Sequence, residues 1–155
     1  MRTLKQWFDE YGVSHQNPQN KAIHYICVPA IFFSIVGLLM SIPTGFLDRI
    51  VGSNQPIFVN WAVVVLIFVL FFYLRLSISM ALKVALFSLL CLVVNYLISV
   101  YLPLWIVSIV IFAVAWIGQF YGHKIEGKKP SFLKDLQFLL IGPAWVLDNV
   151  FSMKK

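Results

Sequence analysis

The sequence predicts an all-α integral membrane protein: four transmembrane helices followed by a C-terminal helical segment broken at a Gly-Pro pair. Three observations predict it. Hydrophobic residues make up 61% of the 155 residues and charged residues only 12%, a balance foreign to water-soluble domains. Apolar runs of about 20 residues, the length that crosses a bilayer, recur four times along the chain. None of the runs alternates polar and apolar residues with period two, so helices rather than barrel strands satisfy the backbone within lipid. Residues 1–155 leave no room for a second unit and form a single membrane domain.

The elements follow in order. Met1 to Gly12 is charged and polar without an apolar core, so it is not a cleavable signal peptide, and the first span acts as its own insertion signal. Asn17-Pro18 reads as a helix start, with Asn17 as N-cap and Pro18 in the first helical position. The first span covers 23–42, and Pro29 within it is expected to kink the helix and free a carbonyl near Tyr25. After the breaker Pro43-Thr44-Gly45 comes the second span, 57–74; after Arg75-Leu76-Ser77, the third, 80–100. Leu102-Pro103 then joins it to the fourth, 104–121, so tightly that the two read as an antiparallel hairpin. Phe132 to Phe151 is apolar but divided by Gly142-Pro143 into pieces too short to span. A proline inside a helix costs about 3 kcal/mol, so this tail reads as an interfacial or re-entrant helical segment over the cytoplasmic end.

Charge sets the orientation. With four spans, Arg2, Lys5, Lys21, Arg75, Lys83, Lys124, Lys128, Lys129, Lys134, Lys154 and Lys155 share one face, and Arg49 stands alone on the other. That asymmetry places both termini in the cytoplasm. The net charge of +6 is therefore a mark of topology, not of nucleic-acid binding. Trp61, Tyr101 and Trp105 mark the outer interface, and Tyr25, Tyr73 and Tyr121 the inner one. Cys27 and Cys91 lie inside apolar runs and read as small buried side chains, not a disulfide.

The chain has three histidines, and an even number of crossings separates the first two from the third. His15 and His24 flank the start of the first span, and His123 follows the fourth, so all three belong to the cytoplasmic end. If the first and fourth spans are neighbours, the imidazoles can converge, and neutral imidazoles suit iron or zinc. Asn20 and His24, four apart, share a helix face, and His15 stands where a turn can fold it over that face. The carboxamides of Asn17, Asn20 and Gln119 can orient imidazoles from behind, while Asn95 and Gln119 are expected to face the bundle interior. Glu126 follows His123 at the spacing of one helical turn, yet it equally balances Lys124, Lys128 and Lys129 at the surface. Those lysines form a basic strip that attracts anionic lipid headgroups and can draw an acidic lipid toward the histidines. Nothing resembles a nucleophilic-serine elbow, a phosphate loop or a cysteine-based zinc motif. Two other classes stay open on the residues alone: a small non-enzymatic lipid-binding or transport protein, and a zinc-dependent lipid hydrolase.

The segment His15-Gln16-Asn17-Pro18-Gln19-Asn20 with His24, before a proline-containing span, resembles the opening motif of the Mpo1-like family. Gln119-Phe120-Tyr121-Gly122-His123, followed by Glu126, Lys129-Pro130 and the tail with Pro143, resembles its closing motif. The resemblance covers nearly the whole chain. It implies an iron(II)-dependent dioxygenase of fatty-acid α-oxidation, with dioxygen as co-substrate, that turns a 2-hydroxy fatty acid into one a carbon shorter. It also implies that His15, His24 and His123 are the iron ligands. The chain departs from the family pattern by having one residue fewer between His123 and Glu126, so Glu126 is left out of the ligand set. The expected setting is a bacterial inner membrane, with the endoplasmic reticulum as the alternative.

Overall fold

The computed structural model describes residues 3–52, 55–127 and 132–152, and among them there are seven helices and no strand. They are α1 (Leu4–Gly12), α2 (Pro18–Met40), α3 (Gly45–Val51), α4 (Trp61–Leu76), α5 (Ile78–Tyr101), α6 (Leu104–Glu126) and α7 (Phe132–Ser152). Three of them, α2, α5 and α6, are long and apolar enough to cross a membrane; α4 is equally apolar but has 16 residues.

Local chemistry sets most helix ends. Thr3 and Gln6 form a capping box at the start of α1. Asn17 caps α2 as its type predicts, accepting from the Gln19 N–H at 2.8 Å with Pro18 behind it. The cap places the start of α2 at Pro18, ahead of the apolar run that begins near 23. Ser77 closes one helix and opens the next: its N–H donates to Tyr73 O at 2.8 Å, and its hydroxyl accepts from the Met80 N–H. The helix α6 runs past the expected end at 121 to Glu126, where Gly127 takes a left-handed conformation (φ 69°) that glycine adopts without strain. That extra turn carries His123 on a helix rather than in a loop.

At the centre lies α2, which packs most extensively on α6 and also meets α4, α5 and α7. In lipid no hydrophobic force draws two apolar helices together, and small residues that let backbones approach take over that role. A Cβ built on Gly118 would lie 2.6 Å from Cys27 Sγ. One on Gly37 would collide with Ser108 and Asn95, and one on Gly122 with Asn20. Asn95, fully buried on α5, adds a polar tie by donating to Phe33 O of α2 at 3.2 Å, as a polar group within a span should. The side of the bundle that remains apolar is exposed, with Phe68, Leu86, Val114 and Ile117 among many large side chains facing outward.

Several expectations are corrected. The tail is not two pieces: α7 continues through Pro143 as one helix. Burial explains why, since Ile141, Ala144, Trp145 and Val146 are enclosed where α7 packs on α1, α2 and α5, and this packing outweighs the lost N–H. The Tyr73 hydroxyl donates to Leu140 O, next to the carbonyl that Pro143 cannot serve. Tyr73 is accordingly buried in the bundle and does not mark the inner interface, whereas Tyr101, Trp105 and Tyr121 are exposed. Pro29, whose missing N–H leaves the Tyr25 carbonyl without its usual helix partner, sits inside α2. The two helices joined at Leu102-Pro103 touch only slightly, because α6 packs along α2 instead. A Lys83–Asp148 ion pair at 3.0 Å links α5 to α7.

The α2–α6 seam yields a prediction. Gly118→Ala places a methyl against Cys27 and is expected to cost about 1–3 kcal/mol, as overpacking does. Adding Cys27→Ala, which removes the sulfur, should restore most of the loss. Thermal unfolding of the single and double variants in detergent measures both, and an equal loss in the double variant refutes the seam.

Candidate metal centre

Each histidine reaches the site by a different route. α1 ends at Gly12, and its last turn tightens as the Ser14 and His15 N–H groups donate to Tyr11 O and Gly12 O at 3.3 and 3.0 Å. This turn folds His15 back over α1, where its ring stacks on Tyr11 with centroids 4.1 Å apart and planes at 9°. His24 comes from the second turn of α2, and His123 from the last turn of α6. The ring centroids of His15 and His24 stand 4.2 Å apart, those of His24 and His123 5.1 Å, and those of His15 and His123 5.7 Å. All three are buried, at 2%, 1% and 8% exposure in chain order.

The hydrogen bonds fix how two of the rings present themselves. His15 Nδ1 lies 2.7 Å from Tyr11 O, and His24 Nδ1 lies 2.9 Å from Asn20 O. A carbonyl oxygen only accepts, so each Nδ1 donates, and in the neutral ring the lone pair then resides on Nε2. Imidazoles held this way from behind are the usual form of a metal-ligating histidine. One ring nitrogen from each histidine can be chosen so that all three lie within 4.8 Å of one another. Two donors bound at ~2.1 Å to one ion stand at most ~4.2 Å apart, so small side-chain adjustments bring the set onto a single first-row divalent ion. Nitrogen-only donors favour iron, zinc or copper over magnesium or calcium. The residues fit a metal.

The neighbours have distinct placements. Asn20 is fully buried; its Nδ2 donates to Glu126 Oε2 at 2.9 Å and to Ser14 O at 3.3 Å. Glu126 Oε1 accepts from Gln16 N–H at 2.8 Å, and Oε2 also accepts from Asn17 N–H at 3.0 Å. Asn17 therefore caps α2 with its side chain and meets Glu126 with its backbone. Gln119 is buried one turn before His123 on the same helix face. Lys124 is exposed, and Lys128 and Lys129 lie outside the described residues. The structure thus brings together the three histidines, Asn17, Asn20 and Glu126, and leaves Lys124 at the surface.

Three contributors were not singled out in the sequence. Tyr11 carried one faint signal, its place four residues before His15. Trp145 carried none, yet from α7 it stands 5.7 Å from His15 and 5.2 Å from Tyr11, ring centre to ring centre. Gly122 stood in the closing motif without a role of its own, but a Cβ there would strike Asn20 and approach His24 Cε1 to 3.4 Å.

The sequence model of one protein family, described as "Mpo1-like: 2-hydroxy-palmitic acid dioxygenase Mpo1-like", matches residues 1–153. No curated protein and no solved structure matches the chain.

Removing the ring that supports His15 tests the packing of the site. Tyr11→Ala is expected to lose roughly 3–5 kcal/mol of stability, the range for large aromatic-to-alanine changes in a core. Tyr11→Phe, which keeps the stacked ring, should lose markedly less. Equal unfolding midpoints for the two variants would show that the stack contributes nothing.

Proposed function

The chain belongs to the Mpo1-like family, and from that premise we propose that it is an iron(II)-dependent dioxygenase of fatty-acid α-oxidation. It converts a 2-hydroxy fatty acid to the fatty acid one carbon shorter, with His15, His24 and His123 as the metal ligands. The observation that carries this reading is the meeting of three buried imidazoles, drawn from the two ends of the chain, at one end of an apolar bundle.

Iron(II), when bound, supplies the dioxygen chemistry. His15, His24 and His123 would hold the ion, and with no carboxylate in the set it would supply dioxygen activation beside a 2-hydroxy acid. The reaction balances without an external reductant: one 2-hydroxy acid and one dioxygen give the shorter acid, carbon dioxide and water. The protein's part is to hold geometry and exclude water. The Tyr11 and Asn20 carbonyls keep the His15 and His24 protons on Nδ1, and Tyr11 and Trp145 wall the His15 side against solvent. The exposed Lys124, with Lys128 and Lys129, attracts an acidic headgroup to that end, and the acyl chain extends along the apolar bundle.

The same convergence supports a four-crossing topology. His24 lies at the start of α2 and His123 at the end of α6, so an even number of crossings must separate them. α2, α5 and α6 make three, and α4 supplies the fourth, its 16 residues reaching roughly 24 Å at about 1.5 Å per residue. The lysine and arginine asymmetry then puts both termini and the histidines in the cytoplasm, and the membrane is read as a bacterial inner membrane, with the endoplasmic reticulum as the alternative.

Metal analysis of protein purified without a histidine tag, followed by oxygen uptake with 2-hydroxypalmitic and palmitic acids, tests the proposal. Iron and uptake with the hydroxylated acid alone are expected. Zinc with lipid hydrolysis would replace it by a hydrolase, and absence of both metal and turnover by a lipid-binding or transport role. His→Ala at position 15, 24 or 123 should abolish turnover and reduce bound iron while the protein stays folded; full activity in any of them removes that residue from the ligand set.

A further inference from the structure

We infer that Glu126 is the positioning residue of the metal centre, one carboxylate tied to the carriers of all three histidines. The inference rests on the metal reading above. Glu126 stands three residues after His123 on the same helix, so its position is that of His123's own turn. Oε1 accepts from the backbone of Gln16, the residue next to His15. Oε2 accepts from Asn17 N–H and from the Asn20 side chain, and the Asn20 carbonyl receives the His24 Nδ1 proton. The His15 loop, the first turn of α2 and the end of α6 therefore meet at one side chain.

Physical chemistry favours this arrangement over coordination by Glu126. Charge-assisted hydrogen bonds are roughly twice as strong as neutral ones, and here three of them, between 2.8 and 3.0 Å, converge on two oxygens. The carboxylate also sits at the N-terminus of α2, where the helix dipole stabilises negative charge. Three of the carboxylate's roughly four acceptor sites are thus taken, with both on Oε2 filled. Asn20 adds a second constraint. It is fully buried, its Oδ1 makes no hydrogen bond among the described residues, and its Nδ2 keeps only the longer bond to Ser14 O once Glu126 is gone. Losing the carboxylate thus frees the side chain whose backbone holds His24, together with the loop that carries His15. A glutamate that merely balanced neighbouring lysines would have no such effect.

The test uses the full chain in detergent, as Glu126→Ala and as the isosteric Glu126→Gln, which keeps one carbonyl acceptor. Iron(II) affinity is measured by chelator competition. Glu126→Ala is expected to bind 10- to 100-fold more weakly, a range of about the size found when residues that orient metal ligands are changed, and Glu126→Gln should fall between it and the parent. A second readout needs no metal. Protein labelled with 15N-histidine gives three imidazoles to follow, and in the metal-free Glu126→Ala protein the Nδ1 signals of His15 and His24 should lose their hydrogen-bonded shifts. If Glu126→Ala does not fold, Glu126→Gln carries the same comparison. Unchanged affinity with unchanged imidazole signals overturns the inference. If the parent protein takes up no metal, the metal reading fails, and the imidazole signals alone decide whether Glu126 holds the histidines.

Discussion

The approach of α2 to α6 governs the rest of this structure. Within a bilayer two leucine-rich helices gain little by leaving lipid for each other, so contact must come from backbone proximity and from polar groups that pair across the gap. Gly37, Gly118 and Gly122 provide the proximity, each at a point where a side chain would collide with the neighbouring element. Asn20 and Glu126 supply the pairing at the histidine end. Because α6 meets α5 only slightly, the position of His123 depends on this seam and on little else.

Around the seam the remaining elements act as walls. α1 turns back so that Tyr11 lies flat against His15, and α7 leans Trp145 on both. Neither α1 nor α7 supplies one of the three imidazoles, but together they make a buried site at what would otherwise be the open end of a membrane bundle. Burial matters for the proposed chemistry, because a dry site strengthens every fixed dipole within it and limits side reactions with water. The carbonyls of Tyr11 and Asn20 are such dipoles, and both belong to helix turns, which are stiffer supports than loops.

Much of this was legible from residue order, and the exceptions share a cause. Long apolar runs announced the helices, Asn17-Pro18 announced the start of α2, and the three histidines expected to share one end do meet. Each of those signals is local or additive. The course of α7 was not legible, because Pro143 forbids a hydrogen bond locally while burial of Ile141 through Val146 favours a helix globally. Tyr73 read as an interface residue because tyrosines collect there, but its hydroxyl finds Leu140 O inside the bundle. Glu126 looked like a partner for nearby lysines, since its actual partners lie more than a hundred positions earlier in the chain. Trp145 had no signal at all: nothing in its neighbours indicates that His15 will be beside it.

That separation along the chain has a consequence for how the protein is made. His15 and His24 leave the ribosome early, while their third companion follows only after α4 and α5 have been made. Until α6 enters and slides against α2, an emerging chain exposes two imidazoles that cannot enclose anything, and α7, synthesised last, has yet to lean Trp145 over them. The histidine cluster can therefore exist only once α6 has been made. A chain abandoned before α6 would lack it altogether, whereas one that stops after α6 would carry all three histidines without the wall that Trp145 of α7 supplies.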